Sequence, residues 1–389
     1  MSSASTPTGD AAWRARERAR RRREWILQGV LATLLIALVA GLALNTAANL
    51  EARQIRTGFG FLHDAAGFDV GEALIEYSTR DTYLRAFTAG MLNTLRVAAA
   101  GVLLATVLGV AIGLARLALH PFVAGFAAVW VEVSRNIPLL IQLLAIYLVV
   151  TELLPDATNP LALAGLGLLS KQGLQIAVPA QGTLALTLAV AAAGLAGWVA
   201  FVAARRRMTV LGAAVAALLA AVAAGFAAWL VSGFIAGWSR PQIDGFMISG
   251  GASLTPEFLA LWLGLSFFTS GAIAEIVRAG AEAVPRDQWN AALALGMTRS
   301  QAISSVVFPQ GLRLAIPPLA SQYMNLTKNS SLAVIIGYPD LVSVANTTIN
   351  QNGQALEVIV VIMAVYLTLN LLISAVMNAA NARVTRAPR

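Results

Sequence analysis

Apolar residues run through this chain in long unbroken stretches, separated by short polar segments rich in arginine, glycine or proline. A helix needs ~20 consecutive apolar residues to cross a hydrocarbon layer about 30 Å thick. Eight stretches meet that length: 26–48, 88–115, 122–150, 183–203, 208–232, 257–280, 313–337 and 355–378. The pattern predicts an all-α membrane protein of about eight transmembrane helices. The second stretch carries Gly109 and Gly113, a spacing that lets helix backbones approach closely, although Gly and Ala are frequent throughout. Pro138 cannot donate a backbone hydrogen bond and predicts a kink in the third.

Composition supports this class. Of 389 residues, 58% are hydrophobic and 12% charged, with a mean hydropathy of +0.72. Soluble domains carry about 25% charge, so this chain has too little to cover a soluble surface. A soluble enzyme, a disordered chain and a collagen-like fibre are excluded. There are no cysteines, which excludes disulfide frameworks, thiolate metal sites and thiol nucleophiles. His63 and His120 alone do not build a metal cage. No metal site and no nucleic-acid partner are expected.

The net charge of +8 matters through its placement. With the N-terminus in the cytoplasm, 18 arginines fall on the cytoplasmic side and six cations on the other. The cytoplasmic set is Arg14–Arg23, Arg116, Arg205–Arg207, Arg278, Arg286, Arg299, Arg313 and the C-terminal Arg383, Arg386 and Arg389. This bias orients the chain with both ends cytoplasmic. The first stretch exceeds the 7–15 residues of a signal-peptide core and reads as a retained anchor.

The organisation follows. Residues 1–25 are a basic cytoplasmic tail, expected to be disordered at its Ser/Thr/Pro/Gly-rich start, and 26–48 is the first anchor. Residues 88–380 form the transmembrane domain, in which 151–255 is an insertion carrying two extra spans. Its outer segments, 151–182 and 233–256, and the polar 338–354 read as external loops. Residues 281–312 form the longest internal loop. In it, Pro285 and Asp287 begin a short helix, Gly296 suits a left-handed stop, Thr298 and Gln301 form a capping box, and Pro309 closes the segment. So short a helix is unstable alone in water and calls for a partner groove.

The loop resembles the conserved cytoplasmic loop of ABC-importer permeases. The matching positions are Asn290-Ala291-Ala292, Gly296, Val306 and Pro309, with Asn and Val where that family has Glu and Ile. Asn93-Thr94-Leu95-Arg96, Arg135-Asn136-Ile137-Pro138-Leu139-Leu140-Ile141-Gln142, Ala274–Gly280 and Leu326–Leu332 are similar to elements of the polar-amino-acid branch and occur in its order. The inserted spans make the chain look like the first permease subunit of the broad-specificity L-amino-acid and glutamate/glutamine/aspartate/asparagine importers of Gram-negative bacteria.

The resemblance implies a type I importer-permease fold in the bacterial inner membrane and a translocation subunit rather than an enzyme. It implies a cytoplasmic ATPase dimer holding ATP and Mg, a periplasmic amino-acid-binding protein, and a second permease subunit, the long form favouring a heterodimer. It implies coupling through Gln288, Trp289, Asn290, Ala291, Ala292, Leu295, Gly296 and Pro309. The chain itself has no G-x-x-x-x-G-K-[ST] phosphate loop and no cofactor is expected on it.

Intramembrane ionisable and polar groups are costly and mark candidate functional positions. Arg135 and Asn136 beside Pro138, and Asn325, Lys328, Asn329, Ser330 and Ser331 in the seventh span, are candidates for a solute pathway or permease–permease contact. Glu275, Arg278 and Glu282 share one helix face, either as an ion-pair ladder or as a gate or ATPase contact. Trp289 is a candidate anchor in a pocket. The competing functions are an ion-gradient-driven transporter or channel, an intramembrane enzyme, and an assembly subunit. Acidic residues cluster at span ends rather than midway, and no catalytic pair is visible.

Overall fold

A computed structural model describes residues 8–52, 57–163, 167–204 and 210–385. The arginine run 205–207, Arg53, Arg56, Arg386 and Arg389 lie outside the described residues. Helix α1 spans Thr8–Ala52, α2 Tyr83–Ala115, α3 Pro121–Asn136 and α4 Leu139–Leu148. Strands β1 (Leu161–Leu163), β2 (Gly167–Ser170), β3 (Gly173–Ile176) and β4 (Val178–Pro179) precede α5 (Gly182–Ala204) and α6 (Val210–Ala236). Strands β5 (Trp238–Ser239), β6 (Gln242–Asp244), β7 (Met247–Ser249) and β8 (Ala252–Leu254) follow. The chain ends with α7 (Pro256–Glu282), α8 (Arg286–Ala294), α9 (Arg299–Ala302), α10 (Phe308–Asn329), α11 (Leu341–Asn352) and α12 (Ala355–Thr385).

Among the described residues, six helices are long and apolar enough to cross a membrane, or up to eight spans when each of two bent helix pairs is counted as one. One pair is α3 with α4 and the turn after it, bent by 103°; the other joins α10 to α11 with a bend of 52°. The stretch 122–150 is therefore a broken helix rather than a kinked one. Pro138 leaves the carbonyl of Ser134, four residues back, without its helical donor. The Gln142 side chain replaces that donor, giving one amide nitrogen to Ser134 O at 2.9 Å and to Ile137 O at 2.8 Å. The break packs on α7 at Gly271, where an added Cβ would lie 1.9 Å from Ser134 Oγ.

Helices α2 and α7 form the centre of the bundle. Their contact runs along Gly109 and Gly113, as the spacing predicts. A Cβ on Gly109 would lie 2.5 Å from Ile273 Cβ, and one on Gly113 2.7 Å from Val277 Cβ. The core around them holds Val97, Leu143, Leu261, Leu265, Ile273 and Leu326, all fully buried. Tyr323 of α10 joins α2 through a 2.9 Å hydrogen bond with Thr106.

The Ser/Thr/Pro/Gly-rich start lies largely outside the described residues; from Thr8 onward the tail is helical, its Ala, Arg and Glu being strong helix formers, and Arg20–Glu24 and Arg21–Glu17 pair at i, i+4. Two expectations are corrected. The 338–354 segment is not a loop. It contains α11, capped by Asp340 Oδ1 on Ser343 N at 2.8 Å and stopped by Gly353 at φ 73°. Its Leu341, Val344, Ala345 and Thr348 form a buried stripe. The two segments flanking α5 and α6 are not loops either. They form a sheet in the order β1-β2-β3-β8, with β4 paired to β5 and β6 to β7. Because β3 pairs with β8 and β4 with β5, the sheet closes the base of the α5–α6 hairpin. Gly173 allows this closure, since a Cβ there would sit 2.1 Å from Leu254 O.

The NTLR motif on α2 joins three segments at the end of the bundle away from the 281–312 module. Asn93 Nδ2 donates to Glu72 O at 2.7 Å and Pro339 O at 2.9 Å, and Thr94 Oγ1 accepts from Leu341 N at 3.1 Å. Arg96 pairs with Glu72 and lies 4.2 Å over the Phe258 ring.

Replacing Gln142 with Leu removes the donor that repairs the break. Each orphaned buried carbonyl costs about 1–3 kcal/mol, so Gln142→Leu lowers the melting temperature of the purified protein in detergent. An unchanged melting temperature means that the side chain does not hold the break.

Candidate functional site

The 281–312 segment is a compact module standing on the ends of α7 and α10. Its base is a backbone-to-backbone contact. A Cβ on Gly280 would lie 2.8 Å from Gly311 O, and one on Gly311 2.8 Å from Gly280 O. Its core is Ala281, Val284 and Val307, with Trp289 and Leu117 packed against them.

Pro285 occupies the cap position of α8, and Asp287 lies in the first turn, near the positive helix end. The helix stops as the sequence predicts. Gly296 has φ 80°, its N–H donates to Leu293 O at 3.0 Å, and Met297 N donates to Ala292 O at 3.2 Å. That pair of bonds is a Schellman motif. The capping box forms as well: Gln301 N donates to Thr298 Oγ1 at 3.3 Å and Thr298 N to Gln301 Oε1 at 2.8 Å. The second short helix does not stand alone. α9 continues through a π-helical turn, Ile303–Val307, into α10. Pro309 lies inside this continuous helix, directly after the π-helical turn, and so does not close the segment as expected.

The two faces of α8 differ. Ala292 is only 3% exposed and Trp289 is half-buried, with the Arg299 guanidinium 5.7 Å over its ring. Trp289 packs against the module's own core. Gln288, Asn290 and Ala291 are exposed, as are Leu293 at 47% and Leu295 at 80%. Gln288, Ala291 and Leu295 share one face, three and four residues apart. On α7, Arg278 bridges Glu275 and Glu282 as the spacing predicts.

The candidate pathway residues separate. Arg135 and Asn136 are exposed at the α3–α4 break, with Asn136 Nδ2 donating to Glu132 Oε2 at 2.6 Å. Asn325 and Lys328 are exposed one turn apart on α10. Ser330 is buried and donates to Thr327 O, and Ser331 donates to Lys328 O. Asn329 is half-buried. Among the described residues, no hydrogen bond or ion pair joins the Arg135 pair to the Lys328 group. Sequence reasoning gave Gln142 no role and missed the Gly280–Gly311 contact, although Pro138 four residues before a glutamine was a readable signal.

A β-branched residue at Gly296 must adopt a left-handed conformation that costs roughly 1–2 kcal/mol. Gly296→Val is expected to speed hydrogen exchange at the amides of 288–298 while leaving α2 and α7 protected. Exchange equal to the parent's contradicts this role for Gly296.

Comparison with known proteins places the chain. Residues 215–386 match the family described as "Binding-protein-dependent transport system inner membrane component". The chain is 41% identical over 370 residues to the putative amino-acid ABC transporter permease protein YhdX of Escherichia coli K12, covering 93% of this chain and 94% of that one. It is 41% identical over 365 residues to the general L-amino acid transport system permease protein AapQ of Rhizobium johnstonii, covering 92% and 90%. It is 36% identical over 403 residues to the glutamate/glutamine/aspartate/asparagine transport system permease protein BztB of Rhodobacter capsulatus, covering 93% of each. A chain so similar over nearly its whole length belongs to the amino-acid ABC transporter permeases, the multi-pass membrane subunits of binding-protein-dependent importers.

Proposed function

We propose that this subunit carries polar L-amino acids from periplasm to cytoplasm through the bacterial inner membrane, driven by ATP hydrolysis on a separate cytoplasmic ATPase dimer. ATP and Mg belong to that partner, since this sequence carries no phosphate-loop motif. A periplasmic binding protein delivers the solute. A second, related permease completes the pore as a heterodimer. The arginine bias supports N- and C-termini in the cytoplasm.

The observation that carries the reading is the α8 module. It is a knob with its own core, a capped helix, a stopped end and two exposed leucines. A helix seated in a groove presents apolar anchors of this kind. The ATPase groove receives the Gln288–Ala291–Leu295 face, and closure of the ATPase dimer displaces the module together with the α7 and α10 ends on which it stands. Asn290 takes the place of a usual glutamate, so docking here relies on apolar contact more than on charge. Arg135, Asn136, Asn325 and Lys328, exposed at intramembrane positions, face the solute pathway or the second permease.

The test is uptake by proteoliposomes holding the full complex. Leu295→Asp puts a charge into the docking face and leaves the module's core intact. It is expected to abolish binding-protein-dependent uptake while ATP hydrolysis by the complex continues. Ala292→Asp instead damages the module itself, because Ala292 is buried. Normal uptake by Leu295→Asp, or uptake driven by an ion gradient without the ATPase, contradicts the reading.

A further inference from the structure

The sequence placed Glu275, Arg278 and Glu282 on one helix face, and the structure adds a fourth member from another helix. Arg116 is the C-terminal cap residue of α2, and its guanidinium pairs with Glu275 Oε2. Glu275 Oε1 pairs with Arg278, whose other nitrogen reaches Glu282. One carboxylate thus joins two guanidiniums, one on each of two helices. Its side chain is 27% exposed, and those of Arg116 and Arg278 are 22% and 28%. The four charges cancel within the cluster.

Its place in the fold gives the cluster its meaning. Gly109 sits against Ile273 and Gly113 against Val277, so α2 and α7 touch backbone to side chain over their cytoplasmic halves. Arg116, just past Gly113 on α2, reaches back to Glu275, which lies between Ile273 and Val277 on α7, so the ion pair crosses the seam at the level of its last glycine contact. Seven residues after Glu275, α7 ends at Glu282 and the α8 module begins. A push on the module enters α7 from that end, and the Arg116–Glu275 pair adds a directional tie to the packing that joins α7 to α2 there. Apolar packing has little directional stiffness at a helix end, whereas a carboxylate held by two guanidiniums resists both splay and slide.

We infer that Glu275 is a positioning residue that binds α2 to α7 so that both helices move as one body when the coupling module is displaced. This rests on the reading of 281–312 as the coupling segment and adds to it the path by which force enters the bundle. The role is mechanical, and Glu275 does not contact the solute in it.

The chain has no cysteine, so spin labels can be placed without removing any. Ala111 of α2 and Ala279 of α7 are exposed near this end of the pair. In the assembled importer carrying Ala111→Cys and Ala279→Cys, the label-to-label distance is expected to be the same in the nucleotide-free and ATP-trapped states. With Glu275→Gln added, the distance shifts or broadens when ATP is trapped. Amino acid taken up per ATP hydrolysed then falls by about fivefold or more, the low end of ordinary coupling energies. Arg116→Gln gives the same result from the other helix and serves if Glu275→Gln does not assemble. Arg116→Lys, which keeps the charge, recovers most of the coupling. A label distance that changes with ATP in the parent overturns the inference, as does an unchanged uptake-to-ATP ratio in Glu275→Gln and Arg116→Gln. Failure of the coupling reading is separate, because it shows as normal uptake in Leu295→Asp.

Discussion

Gly280 and Gly311 lie so close that neither position has room for a Cβ, and the 281–312 module is arranged around that contact. It fixes where α7 leaves the bundle and where α10 enters it. The 30-residue path between them closes on itself, and its few apolar side chains then suffice for a core. A loop of this length without such a base would lose much more entropy on ordering. With it, α8 is presented as a formed helix although it has only nine residues.

A second constraint shapes the bundle itself. In a membrane the backbone's polar groups have no water to fall back on, so each helix break must be repaired by the protein. The α3–α4 break is repaired by Gln142 and the α10–α11 break by Asp340 and Thr94. The motifs that mark this family in the sequence thus coincide with repair points. RNxPLLxQ pairs a proline with the glutamine that compensates for it. NTLR ties α2 to the segment around Glu72 and to the start of α11. These residues hold the bundle's irregular backbone in one arrangement.

The sequence shows the spans well, because a run of some twenty apolar residues has no other stable home. It shows the α8 stop and the capping box well, because φ above zero at Gly296 and the Thr298–Gln301 exchange are local. It shows less of what depends on distant partners. The strands around α5 and α6 are two to four residues each and exist because β3 finds β8 some 75 residues later. Helix α11 was hidden by its many polar residues, although its cap, its glycine stop and the 341–344–345–348 stripe were all present in the chain. The orientation of α8 was unreadable as well: Ala291 and Ala292 are adjacent alanines, and only the folded module leaves one exposed and buries the other.

The central claim is that the 281–312 module meets the ATPase in the cytoplasm. In this naturally cysteine-free chain, a single Leu295→Cys gives the most direct test. The account predicts that, in the assembled complex, this cysteine forms a cross-link to the ATPase subunit and is reached by membrane-impermeant thiol reagents only from the cytoplasmic face. Labelling of that cysteine from the periplasmic face of sealed membranes would contradict it.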